Sequence, residues 1–123
     1  MVHELNLESF AEQVFDFRNE KEWKYKGDKP CIIDFWAPWC GPCRAIAPVF
    51  QELSELYKDK VLFYKINTDD EQQLSAMFGI RSIPSLLFVP VGDSPKMAAG
   101  ALPREILIEA IEKELGVSSI IQA

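Results

Sequence analysis

Cys40 and Cys43, separated only by Gly41-Pro42, stand where one kind of pattern stops and another begins. The lead-in, Cys31-Ile32-Ile33-Asp34-Phe35, is an apolar run of the kind that forms a buried strand. The lead-out repeats apolar residues at helical spacing from about Gly41 to Tyr57, through Ile46, Val49, Phe50, Leu53 and Tyr57. Cys40 is thereby placed at a strand-to-helix junction, where backbone N–H groups lack intrahelical partners and the helix dipole is positive. Such a site favours an anion, and the anion a cysteine supplies is its thiolate, the nucleophilic form. The chemistry suggested is reversible dithiol–disulfide exchange. A permanent structural bridge is a poor alternative, because so small a loop restricts the unfolded chain little.

Composition narrows the other options. The chain has 123 residues, enough for one domain with one core, and a single domain over 1–123 is the expectation. Its net charge of −6 argues against nucleic acid or an anionic membrane as partner, since both select basic surfaces. No apolar stretch approaches a membrane span. Met1-Val2-His3-Glu4 shows no basic-then-apolar leader, so a cytoplasmic location is expected, with a bacterial periplasm as the alternative if a leader has been removed. Three cysteines are too few for a disulfide scaffold or a four-thiolate zinc site. His3, the only histidine, could join a zinc site only if Cys31 also turned toward Cys40, so no metal is expected. The same scarcity disfavours a histidine-dependent cysteine hydrolase.

Taken in order, Val2 to Leu5 reads as a first strand. Asn6 is a helix N-cap, and the helix it opens is expected to end near Phe17. Residues 18–30 form a charged connector punctuated by Gly27 and Pro30. Trp23 and Tyr25 either pin it to the core or offer a partner-binding edge. The strand from Cys31 to Ala37 suits a central position covered on both faces. Pro48 falls inside the next helix and is expected to kink it. Val61 to Ile66 reads as a parallel strand after that helix. Asp70 and Gln73 are spaced as a capping pair for a short helix closed by Gly79. Leu86 to Val89 and Lys96 to Gly100 read as an antiparallel hairpin. Pro103 starts the last helix, Gly116 stops it, and 117–123 are expected to be frayed or weakly packed.

Trp36-Ala37-Pro38-Trp39-Cys40-Gly41-Pro42-Cys43 after a strand resembles the active-site signature of the thioredoxin family. A bare Cys-X-X-Cys is weak, but the eight-residue string in this setting is specific, and the likeness runs from about Val2 to Leu115. The resemblance implies an α/β thioredoxin fold, a mixed central sheet with helices on both faces. It implies that Cys40 attacks a substrate disulfide and Cys43 resolves the mixed disulfide. It also implies that a Gly-Pro pair between the cysteines belongs to the reducing branch. Asp34, costly to bury ionised, corresponds to an aspartate that accepts the resolving thiol's proton; an edge residue facing water is the other reading. Lys65 matches that aspartate's lysine partner, though alone it is equally compatible with a solvated strand residue.

Ile83-Pro84-Ser85 matches the family's cis-proline segment facing the disulfide, with serine where many relatives have threonine. A trans proline opening the strand is the other reading. Substrate contact is expected from Trp39, Gly41, Pro42, Ile83, Pro84 and Gly100, with Gly79, Ile80 and Ala101 nearby. Arg44 either adds positive charge beside Cys40 or is plain surface. Cys31 is expected to be a small buried hydrophobe.

The function expected is reduction of protein disulfides, with no bound cofactor. By resemblance, electrons come from a flavin-containing thioredoxin reductase or an equivalent thiol donor. The alternatives are an exported disulfide oxidase or isomerase, and a redox-inert binding subunit of the same fold.

Overall fold

The computed structural model describes residues 1–118, so the expectation for 119–123 lies outside the described residues. The elements run β1 (Val2–Glu4), α1 (Leu7–Gln13), β2 (Cys31–Trp36), α2 (Gly41–Leu56), β3 (Leu62–Asn67), α3 (Gln72–Met77), β4 (Ser85–Val89), β5 (Lys96–Ala99) and α4 (Arg104–Leu115). The five strands form one sheet in the order β1-β3-β2-β4-β5. β1 and β2 each run parallel to β3, while β2–β4 and β4–β5 are antiparallel. β2 is therefore central, and its apolar sequence follows from being covered twice.

Alternation along β2 divides the core. Cys31, Ile33 and Phe35 point into a cluster with Phe10 and Val14 of α1 and Leu74 of α3. Ile32 points into the other cluster, with Ile46, Phe50 and Leu53 of α2 and Leu107 and Ile111 of α4. Helices thus cover both faces. By the same alternation, Asp34 lies on the α2–α4 side. Lys65, its register partner on β3, lies there too, because Phe63 packs on that side and Tyr64 and Ile66 on the other.

Several boundaries differ from those expected. α1 ends at Gln13, not near Phe17: the chain turns, with Phe15 N–H reaching back to Phe10 O and Phe17 N–H to Phe15 O. Phe15 and Phe17 leave the helical stripe to pack on the core from the turn. α3 is not opened by an Asp70–Gln73 capping pair. Its N-cap is Glu71, whose side chain makes no cap bond; its Oε1 instead accepts from Leu7 N–H at 3.1 Å and ties α3 to α1. Val117 packs against the α2–α4 cluster. Pro48 lies inside α2, as its sequence position implies.

The connector is pinned rather than loose. The Trp23 ring lies 4.9 Å from Phe15, and Lys26 N–H donates to Val14 O at 2.8 Å. Tyr25 Oη donates to Lys29 O at 2.5 Å. No described helix is long and apolar enough to cross a membrane.

Candidate active site

Two loops meet at the C-terminal edge of β2. One is the loop after β2 that leads into α2; the other leads into β4. They meet because β2 and β4 are antiparallel, with Phe35 paired to Ser85.

Cys40 is the N-cap of α2, in extended conformation, and Gly41 and Pro42 form the first helical turn. Cys43 is joined to Cys40 by a disulfide, with the Cα atoms 5.3 Å apart. Cys43 N–H donates to Cys40 Sγ at 3.2 Å, so a free backbone donor of the helix end is aimed at this sulfur. Proline suits this turn because its missing N–H is one of the helix's orphans. A Cβ added at Gly41 would meet nothing within 4 Å, so glycine leaves the surface beside Cys40 flat rather than filling a tight space.

The two sulfurs differ less in exposure than the sequence suggests. As residues, Cys40 is 4% and Cys43 2% exposed. Ala37, Trp36 and Ile83 close around both in the oxidised state. The Ile83–Pro84 bond is cis, and Cys40 Sγ lies 3.8 Å from the Ile83 carbonyl oxygen. A disulfide sulfur carries no hydrogen, so this is a contact and not a hydrogen bond. Gly100 N–H donates to Pro84 O at 2.8 Å, at a backbone φ of +100° that glycine accepts without strain. Trp39 is 67% exposed at the rim. Its Nε1 donates to the Asp69 carboxylate at 3.1 and 3.2 Å, which fixes the indole at the surface.

Arg44 bonds back to the approach loop, and a hydrogen bond to a neutral carbonyl leaves its positive charge in place. Its Nη1 donates to the Pro38 carbonyl at 2.6 Å and braces the approach loop.

Asp34 is 5% exposed on the central strand, which excludes the water-facing edge reading. Burial pushes its carboxyl up to about 7, against a smaller opposing pull from Lys65. Its Oδ1 has no hydrogen-bond partner among the described residues. Lys65 Nζ sits 5.1 Å from the centroid of the Trp36 ring, a cation–π distance, and is thereby shared between the ring and the carboxylate. Trp36 packs directly against the cysteine pair.

Cys31 is fully buried at the opposite end of β2, and His3 lies on the edge strand β1. The three cysteines and the imidazole therefore do not converge on one point. The bonds of Asp69 and Arg44 were not legible in advance, since nothing in their spacing marks them. Each depends on which loop ends the sheet brings together.

A redox-active cysteine pair on a helix N-terminus, at the edge of a mixed sheet covered on both faces, defines a thiol–disulfide oxidoreductase. The thioredoxin family model matches residues 2–113. The thioredoxin of Borreliella burgdorferi is 43% identical over 116 residues, covering 94% of this chain and 99% of that protein. Thioredoxin 1 of a Nostoc species is 43% identical over 107 residues, covering 87% and 99%. The thioredoxin of a Synechocystis species is 42% identical over 107 residues, covering 87% and 91%. The chain belongs to the thioredoxin family, and its activity is that of a protein-disulfide reductase.

Proposed function

We propose that this protein, acting as one domain over 1–123, reduces protein disulfides by a cycle in which Cys40 attacks and Cys43 resolves. The Cys40 thiolate attacks one sulfur of a substrate disulfide. A Cys40–substrate bond forms, the substrate S–S bond breaks, and its second sulfur leaves as thiolate. Cys43 gives its proton to Asp34 and attacks Cys40 Sγ. The Cys40–Cys43 bond forms and the first substrate sulfur leaves. The substrate gains two electrons and two protons, and the cysteine pair is oxidised.

The carrying observation is the joint placement of the pair. Cys40 caps α2 and faces the Ile83 carbonyl, and the raised carboxyl of Asp34 lies on the same side of the sheet as α2. A carboxyl near 7 is matched to taking a proton at physiological pH. Lys65 sets the charge beside that carboxyl. Trp39, Gly41, Pro42, Ile83, Pro84 and Gly100 form the substrate-contacting rim. Open backbone groups of Ile83 suit strand-like pairing with an extended substrate segment.

The oxidised pair is returned to dithiol by a flavin-containing thioredoxin reductase or an equivalent dithiol donor. Such a donor fits a reducing compartment, and we assign the protein to the cytoplasm. The test is a redox titration in dithiothreitol buffers followed by tryptophan fluorescence. A two-electron transition at strongly reducing potential, lost in Cys40→Ser, supports the cycle. A clearly oxidising potential refutes reduction as its direction.

A further inference from the structure

The three consecutive carbonyls of Ser82, Ile83 and Pro84 lead into β4. Two are held by donors from the protein itself. Ser85 Oγ donates to Ser82 O at 2.7 Å, and Gly100 N–H donates to Pro84 O at 2.8 Å. The third, Ile83 O, faces Cys40 Sγ at 3.8 Å. The Ser85 hydroxyl is buried, at 3% residue exposure, and its backbone is fixed in the ladder opposite Phe35 and Ala99. It thus reaches back from a rigid strand to clamp the near end of a loop. A backbone peptide whose two flanking carbonyls are tied has little freedom to rotate its own.

We propose that Ser85 is a positioning residue for substrate: its hydroxyl, by tying back the Ser82 carbonyl, presents the Ile83 backbone to the peptide chain flanking the disulfide under attack. The proposal rests on the reading of Ile83 as the substrate-pairing segment and of Cys40 as the attacking thiol. Its effect is on docking of peptide, not on the sulfur chemistry. Ser85→Ala frees the Ser82 carbonyl, and the loop samples orientations in which Ile83 no longer meets the substrate backbone. A substrate with no peptide groups does not need that surface.

The experiment compares insulin with dithionitrobenzoate, a small aromatic disulfide, as oxidants of the dithiothreitol-reduced protein. In Ser85→Ala the KM for insulin is expected to rise about fivefold, the worth of roughly one hydrogen bond, with kcat little altered. That rise is expected to exceed clearly any fall in the dithionitrobenzoate rate. Ser85→Thr retains the hydroxyl and restores the wild-type KM. An unchanged insulin KM in Ser85→Ala overturns the proposal. So does equal slowing of both oxidants, which is general damage, and so does failure of threonine to restore. Should Ser85→Ala not fold, the isosteric pair Ser85→Thr and Ser85→Val carries the comparison, and equal KM values in that pair overturn it. Failure of the wild-type protein to reduce either oxidant is a different result: it removes the Cys40–Cys43 cycle, and the positioning role with it.

Discussion

Cysteines lie at both ends of β2, and the two ends could hardly differ more. Cys31 opens the strand, fully buried, its thiol pushed up to about 12 by burial. Cys40 follows the strand's other end and is almost as buried, yet it caps a helix and faces an open loop. Exposure alone does not separate an inert thiol from a reactive one here. The environment does: apolar walls and phenol rings at one end, a helix N-terminus and an approachable rim at the other.

The sharpest way to break this contrast is to remove one sulfur at a time. Cys40→Ser should abolish catalytic turnover of insulin reduction, whereas Cys31→Ala should leave it unchanged. A parallel loss in both would end the distinction.

The second test concerns the charge beneath the reactive end. Asp34, at about 7 against an ordinary 3.8, keeps a proton in the folded protein that the unfolded chain releases. Stability therefore falls as pH rises from about 4 to about 7 and levels off above, since the unfolded state binds fewer protons in that window. Asp34→Asn removes this dependence. Urea melts of the oxidised protein should show the variant's advantage growing by roughly 2–3 kcal/mol between about pH 5 and about pH 8. The same variant should slow resolution of the mixed disulfide.

A smaller effect should follow from Lys65→Met. Loss of the opposing charge should move the Asp34 titration above about 7, read by carboxyl carbon NMR. The least perturbing test is alkylation of native, reduced protein with iodoacetamide. Mass spectrometry should find label on Cys40, and on Cys31 only after denaturant is added, because thiolate and access are both missing there.

Much of this was legible in the chain itself. The apolar run of β2, the Cys-Gly-Pro-Cys junction and the stripe of α2 announce strand, turn and helix through local periodicity, and Asp34 stands out as a charge within an apolar run. The misjudged features have a common physical origin. Phe15 and Phe17 continue an apolar pattern, yet they serve the core from a turn, because tertiary packing overrode local spacing. Glu71 bonds Leu7 across the fold, and that tie competes with local capping. Trp39–Asp69, Arg44–Pro38 and Ser85–Ser82 are set by loop ends that only the assembled sheet brings together.

The pairing of Phe35 with Ser85 has a consequence for how this protein comes to be active. Both cysteines are present once residue 43 has been made, but the wall opposite them arrives only with residues 82–85. A nascent chain between those points holds both cysteines without the Ile83 carbonyl that Cys40 Sγ meets in the folded protein. Long-range closure of β4 onto β2 is intrinsically slow compared with local structure. The cysteine pair is thus complete in the chain before the wall it faces, and the β2–β4 register is the event that joins them.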